Sequence, residues 1–349
     1  MNEIVRVGII GFGFAARTFH APVLTTIPNL KLQKIVSRSG KSDKERYPYV
    51  EFVNEVDNLY EDSEIDLIII TTPSTDHFSF VREALLAGKH VVVEKPFTIT
   101  TAEADMLISL AKKMNRMLSI FHNRRWDGDF LTIQNILKEK LLGRIIEVEF
   151  RWDRFSPIAS TNWRDSSSAG SGQLYDLGVH LLDQALCLFG KPKTIHANLR
   201  RLRPNTQADD YFDVTLGYTN ELNVRLKSSL VAKEPGPRYT IHGTSGSFIK
   251  YGIDPQEEAL KQGLAPRSPD WGRETKEWWG TLNTDFNKLH IEGRIETLPG
   301  SYDSYYQNIY EHIMGREDLA VKPEQARLAI LLIEMAKQSH IEKRTLEVT

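Results

Sequence analysis

A single cysteine, Cys187, stands in a chain of 349 residues. That excludes an intramolecular disulfide and every zinc or iron–sulfur site built from several thiolates, and it suits a reducing compartment, so the expected location is cytoplasmic. An excess of one charge is missing too: 44 Lys and Arg stand against 46 Asp and Glu, a formal net charge of -2. This balance argues against a general nucleic-acid or anionic-membrane surface and leaves room for a local basic pocket. Long apolar runs are absent. Stretches such as Leu67–Ile70 and Ala329–Ile333 are far too short to span a bilayer, and no basic segment followed by an uninterrupted apolar stretch opens the chain. The expectation is a protein neither exported nor anchored. There is no internal repeat and no low-complexity tract. What is present is ample core material, 41% hydrophobic residues against 26% charged. Single cores rarely grow past about 250 to 300 residues, so two domains with a seam are expected.

From Val5 to Phe121, short β-branched runs alternate with amphipathic stretches. Val5–Ile10, Leu32–Val36, Leu67–Thr71, His90–Val93 and Leu118–Phe121 read as strands, and His77–Ala87 and Ala102–Met114 as helices, Gly88 closing the first. Strand–helix repetition of this kind predicts a mostly parallel, doubly wound sheet. After about residue 123 extended segments follow one another closely: Ile145–Phe155, Thr194–Arg203, Tyr211–Tyr218, Leu222–Leu230 and Tyr239–Gly243. They predict a mainly antiparallel sheet, accompanied by helices at Phe130–Lys140, Gln173–Phe189, Tyr302–Met314 and Glu324–Gln338, the last entered through Pro323. The stretch Pro255–Gly300, rich in Pro, Gly, Trp and charge, reads as surface loops with short elements. The domains are accordingly placed at 1–122 and 123–349.

Gly11, Gly13 and Ala16 form Gly-x-Gly-x-x-Ala directly after the first strand. Gly11 permits the tight turn, Gly13 lets the backbone approach a pyrophosphate, and Ala16 allows close helix packing. The loop Gly11, Phe12, Gly13, Phe14, Ala15, Ala16 is the candidate dinucleotide cradle. The second strand runs into Ser37-Arg38-Ser39-Gly40-Lys41, without the acid that would hold an NAD ribose. A guanidinium flanked by hydroxyls matches a 2′-phosphate, so NADP is expected rather than NAD. Thr71-Thr72-Pro73-Ser74 follows the most apolar strand, where the nicotinamide half would lie, and His77 then opens a helix as either a helix-start residue or a ligand contact. Glu94-Lys95-Pro96 ends the next strand, with Lys95 aimed out of the sheet edge or simply solvated. Asn123-Arg124-Arg125-Trp126-Asp127 sits at the junction, where Arg125 suits an interdomain ion pair. Asp176 and His180 lie four apart on one helix, with Asp183 a turn further. That pair serves proton transfer or, equally, a helix acid beside a buried structural histidine. No third ligand is evident, so no metal is expected, and His77, His90 and His180 lack the spacing of a metal-dependent hydrolase.

Together these residues resemble the glucose–fructose oxidoreductase/inositol dehydrogenase family, Gfo/Idh/MocA. Its landmarks here are the glycine loop, Ala87-Gly88-Lys89-His90-Val91-Val92-Val93-Glu94-Lys95-Pro96, and Asp176 with His180. Thr18-Phe19-His20-Ala21-Pro22, His122 to Asp127, Leu181 to Gln184 and Gly246 to Glu257 are most similar to its NADP-dependent scyllo-inositol dehydrogenase subgroup. The resemblance implies an N-terminal Rossmann domain followed by an α/β domain with an open, mainly antiparallel sheet, assembled as a homodimer or homotetramer. It implies Lys95, Asp176 and His180 as the catalytic set, which also touches substrate. Arg124 and Asp153 would approach the substrate. Thr71, Thr72, Pro73, Ser74, His77, Glu94, Lys95 and Asn123 would line the cofactor, and Trp163 and Arg164 would reach it from the second domain. The implied partner is a small polyol or sugar, without nucleic acid or membrane. The implied reaction is hydride transfer between a nicotinamide and a secondary alcohol of a cyclic polyol or sugar, scyllo-inositol 2-dehydrogenase first. Keto-sugar or aldose reduction, and a dinucleotide-binding sensor without catalysis, are the alternatives.

Overall fold

The computed structural model describes residues 3–38, 40, 42–159, 165–266 and 268–349. The chain folds into two compact units. The first comprises the chain up to Trp126 together with Pro255–Gly272 and Ser301–Arg327, and the second Asp127–Asp254, Arg273–Gly300 and Leu328–Thr349.

The first unit carries β1 (Val5–Ile10), β2 (Leu30–Val36), β3 (Glu51–Val53), β4 (Leu67–Ile70), β5 (His90–Val93) and β6 (Leu118–Ile120). They form one sheet in the order β3-β2-β1-β4-β5-β6, and every pairing is parallel. The order reverses beside β1, which is where an open α/β sheet opens its ligand crevice. All four residues of β4 are fully buried, as are Val91, Val92 and Val93 of β5. Strands covered on both faces read as continuous apolar runs, which makes them legible without alternation. The helix Thr101–Met114 shows how local signals set a boundary. The Thr100 hydroxyl accepts from the Glu103 amide while the Glu103 carboxylate accepts from the Thr100 amide, and Asn115 ends the helix in the left-handed region at φ 51°.

In the second unit, β7 (Ile145–Arg151), β8 (Thr194–Arg200), β9 (Tyr211–Gly217), β10 (Asn223–Ser229), β11 (Tyr239–Gly243), β12 (Gly246–Lys250), β13 (Gly280–Phe286), β14 (Leu289–Ile295) and β15 (Leu346–Glu347) build a nine-stranded sheet. Its order is β14-β13-β12-β11-β7-β10-β9-β8-β15. The extended segments between Thr194 and Gly243 thus share one sheet as expected, antiparallel except that β10 runs parallel to β7. Residues alternate between buried and less buried along β9 and β10. Phe212, Val214 and Leu216 enter the core, while Asp213 pairs with Arg225 on the other face.

The reading of 255–300 as surface loops with short elements is corrected by the structure in the length and pairing of its strands. Besides the helix Gln256–Lys261 this stretch holds β13 and β14, paired as a hairpin in which Phe286 faces Leu289. The two residues between them, Asn287 and Lys288, both have positive φ, the geometry of a tight primed turn. The usual signal for that turn is Asn-Gly, and a lysine in the second place conceals it. Apolar and polar residues alternate from Leu289 to Glu292, yet six of the seven residues of β14 are exposed, so the alternation marks no buried face. The short strands β3 and β15 escape for want of length.

Thr100→Ala should cost about 1 kcal/mol by removing the helix cap. The expected result is a thermal midpoint lower by about 1–3 °C with the far-ultraviolet spectrum unchanged; a midpoint equal to that of the parent would show that the capping box contributes nothing.

Candidate functional site

In the first unit the chemistry-bearing residues gather at the carboxyl ends of the parallel strands. Gly11 follows β1 with φ +96°, and a Cβ there would lie 3.0 Å from the Thr71 hydroxyl and 3.3 Å from its carbonyl oxygen. Thr71 in turn donates to the carbonyls of Ile10 and Gly11, both at 3.1 Å, pinning the turn. Around Gly13 nothing stands within 4 Å of a would-be side chain. Phe12 is buried against Phe52, Phe14 is 54% exposed, and Ala16 is fully buried. The helix that follows is widened to a π-helical turn over Ala16–His20 before Ala21–Leu24. At the end of β2, Ser37 is buried and its hydroxyl lacks a protein partner. Arg38 is 68% exposed, its guanidinium 4.0 Å from the Asp76 carboxylate and 6.0 Å from the Phe80 ring. Ser39 lies outside the described residues, as do Trp163 and Arg164.

Beyond β4, the Thr72 hydroxyl is likewise buried without a partner, and Ser74 is buried after Pro73. His77 is buried with both ring nitrogens toward backbone carbonyls, Nδ1 to Pro96 at 2.8 Å and Nε2 to Thr72 at 3.1 Å. Burial lowers its pKa, more than those carbonyls and the Glu94 charge raise it. His77 therefore ties the ends of β4 and β5 together. Lys95 is half-buried and precedes a cis Pro96. Its amide donates to Glu94 Oε2 at 2.9 Å, and Glu94 Oε1 meets His20 Nε2 at 3.0 Å. Burial alone would raise the Glu94 pKa; the His20 hydrogen bond, with the charge and amide of Lys95, holds it below the ordinary value. His20 Nδ1 faces the Tyr306 hydroxyl at 2.5 Å. Asn123 is buried in a short turn after β6. Arg124 donates to the Tyr302 hydroxyl at 2.7 Å and pairs with Glu257. Arg125 donates to the Ala320 carbonyl at 2.8 Å and to Gln325 at 3.0 Å, all within its own unit.

The second unit carries the other candidate pair on one element, a π-helical turn Leu174–Gly178 continued by the helix Val179–Phe189. Asp176 is 8% and His180 5% exposed. The Trp152 ring lies 6.0 Å from that of His180, and Arg238 sits over Trp152 at 4.2 Å. The Asp153 side chain is buried, accepting from the Ser229 amide at 3.0 Å and pairing with Arg151 at 3.3 Å. The entry to the helix is anchored by Asp209, whose carbonyl accepts from Gln173 N and whose carboxylate accepts from Leu174 N, both at 2.8 Å.

Sequence reasoning missed Asp209, Tyr306 and the role of His20. One of two adjacent acids before a strand and a tyrosine in a distant helix carry no local signal. His20 stands inside one of the family-like phrases, but its partners are not deducible from it.

The strand-end geometry fits a dinucleotide: a positive-φ glycine turn, open space at Gly13, two buried unpartnered hydroxyls and an exposed guanidinium. Residues 5–122 match the family model described as the NAD-binding Rossmann fold of the oxidoreductase family, and residues 134–348 match its C-terminal alpha/beta domain. The chain belongs to the Gfo/Idh/MocA oxidoreductase family, and it carries that family's NAD(P)-binding domain. It is 42% identical over 346 residues to the uncharacterized oxidoreductase YdgJ of Escherichia coli (strain K12), covering 99% of each chain. It is 39% identical over 344 residues to the scyllo-inositol 2-dehydrogenase (NADP(+)) IolW of Bacillus subtilis (strain 168), covering 99% of this chain and 96% of the relative. A solved structure of an oxidoreductase from Bacillus cereus superposes with a TM-score of 0.90 at 34% identity, covering 99% of each chain. No helix among the described residues is long and apolar enough to cross a membrane.

Burial pushes the Asp209 carboxyl up to about 6, against the opposing pull of the Leu174 amide. Its pKa is higher in the folded chain than in the unfolded one, so ionising it destabilises the fold: stability is lost as pH rises from about 4 through about 6. Asp209→Asn keeps an acceptor for Leu174 and removes that penalty, on the order of 1–3 kcal/mol. The thermal midpoint of the variant should gain on the parent as pH rises from 4.5 to 7, and a pH-independent difference would exclude titration of Asp209 in this range.

Proposed function

We propose that this chain is an NADP-dependent dehydrogenase acting on a secondary hydroxyl of a cyclic polyol, with scyllo-inositol as the first substrate to test. The observation that carries the reading is the position of Lys95, at the carboxyl end of β5 in the same parallel sheet whose β1 and β2 ends present the Gly11 turn and Arg38. Similarity to a relative named as an NADP-linked inositol dehydrogenase supports both the substrate class and the cofactor.

The loop Gly11 to Ala16, with Ser37, Arg38, Thr71 to Ser74, Glu94 and Asn123, is assigned to hold the dinucleotide, and His77 to hold the backbone around it. Ser39, Trp163 and Arg164 belong to the same assignment. When bound, the nicotinamide supplies the hydride acceptor for oxidation and the hydride donor for the reverse reaction. The protein must remove the hydroxyl proton as the carbon becomes trigonal, which requires a base that titrates near neutrality. His180 takes that proton, and Asp176 orients the imidazole. Lys95 stabilises the negative charge growing on the substrate oxygen. Arg124 and Asp153 stand as the outer substrate residues. In reduction His180 returns the proton, so one set of side chains serves both directions. A homodimer or homotetramer in the cytoplasm completes the proposal.

A screen of inositols and sugars with NADP and NAD, followed by the absorbance of the reduced nicotinamide, tests the substrate class; turnover of keto-sugars alone would move the assignment to a reductase. Arg38→Ala should weaken NADP by about 10-fold to 150-fold while sparing NAD, since a charged hydrogen-bonding partner is worth roughly 1.5–3 kcal/mol. Equal affinity of the parent for both dinucleotides, measured by fluorescence titration, would refute this cofactor choice.

His180→Ala should keep NADP binding and lose about 10²-fold to 10⁴-fold in kcat, the usual contribution of a positioned base. Full turnover in that variant would remove His180 from the mechanism.

A further inference from the structure

Three polar groups are buried together in the first unit behind the Glu94-Lys95-Pro96 corner: His20 and Tyr306, both fully buried, and Glu94, whose side chain is 12% exposed. They come from the turn after the dinucleotide loop, the end of β5 and the helix Asp303–Ile313. Aromatic rings surround them, with Phe121 4.2 Å from the His20 ring and Tyr305 5.3 Å from that of Tyr306. Burying three hydrogen-bonding groups among aromatics is costly unless each finds a partner. Here each does.

An ionised Glu94 only accepts, so the His20 nitrogen facing it, Nε2, carries the proton. In the neutral ring Nδ1 accepts from the Tyr306 hydroxyl, whose pKa burial raises well above its ordinary value. The other oxygen of Glu94 accepts from the Lys95 amide. The contacts link Tyr306 to His20 to Glu94, and both carboxylate oxygens are engaged. We propose that Tyr306 and His20 are positioning residues that hold the Lys95 backbone through Glu94. On the far side His77 faces the Pro96 carbonyl at 2.8 Å, so the residue that follows Lys95 is held as well. The inference rests on the reading of Lys95 as a residue that acts on substrate. A site must hold its groups to within a fraction of an ångström, and buried, fully paired networks supply that rigidity.

The test is hydrogen exchange of the Lys95 amide, measured by NMR on the full chain without dinucleotide. Tyr306→Phe removes one hydroxyl, His20→Leu breaks the chain of donors, and His20→Gln keeps a donor for Glu94. The expected result is exchange at Lys95 faster by several-fold in Tyr306→Phe and on the order of 10-fold or more in His20→Leu, with His20→Gln in between. The Val92 and Val93 amides inside β5 should keep their parent rates. Parent-like exchange at Lys95 in both Tyr306→Phe and His20→Leu overturns the proposal, and so does equal acceleration at Val92 and Val93, which marks general loosening. Turnover of scyllo-inositol with NADP by Lys95→Met separates the underlying reading. Full activity in that variant removes Lys95 from catalysis, and the relay with it as a catalytic device. Altered Lys95 exchange in the variants of a parent that does not turn over scyllo-inositol overturns only the assigned substrate and leaves the positioning of Lys95 established.

Discussion

Double-sided burial of the central parallel strands is the constraint on which the first unit depends. β4 and β5 offer no exposed face on which a polar side chain could stand. Polar residues are therefore displaced to the strand ends, where the backbone leaves the ladder, and because the strands run parallel those ends lie along one edge. Thr71, Thr72, Glu94 and Lys95 stand along that edge for the same reason that Ile68, Ile69, Val91 and Val92 fill the interior.

The second unit reaches a comparable result by other means. Its candidate pair sits on a helix entered through a π-helical turn, as His20 does in the first unit. An extra residue in a turn frees a backbone carbonyl and shifts the side chains out of the regular helical stripe, which explains the association of such turns with working sites. Asp176 and His20 both fall inside one, where an ordinary helix would have aimed them differently. The cost of the irregular entry is offset by neighbours such as Asp209, which supplies acceptors to two successive amides.

Much of this architecture is legible in the amino-acid sequence. Val5–Ile10, His90–Val93 and Tyr239–Gly243 appear with their expected limits, because β-branched runs bounded by turn residues have few other solutions. Gly11 can be read because only a residue without a side chain tolerates its backbone angle beside Thr71. The hairpin β13–β14 cannot, since Lys288 occupies a left-handed position that a sequence reader reserves for glycine. Nor can the contact between His20 and Tyr306, separated by 286 positions, because chain topology and not local pattern brings them together.

The sheet margins have a bearing on how the protein behaves when concentrated. An unpaired strand edge invites further strands to add, the first step toward fibrous aggregates. Here β3 and β6, which border the parallel sheet, have three residues each, and β15 has two. The remaining border, β14, has full length and exposes Leu289 and Ile291, interleaved with His290, Glu292 and Arg294. Three margins are too brief to template a neighbour, and on the fourth charged groups break up the exposed apolar ones, so each border opposes the addition of further strands.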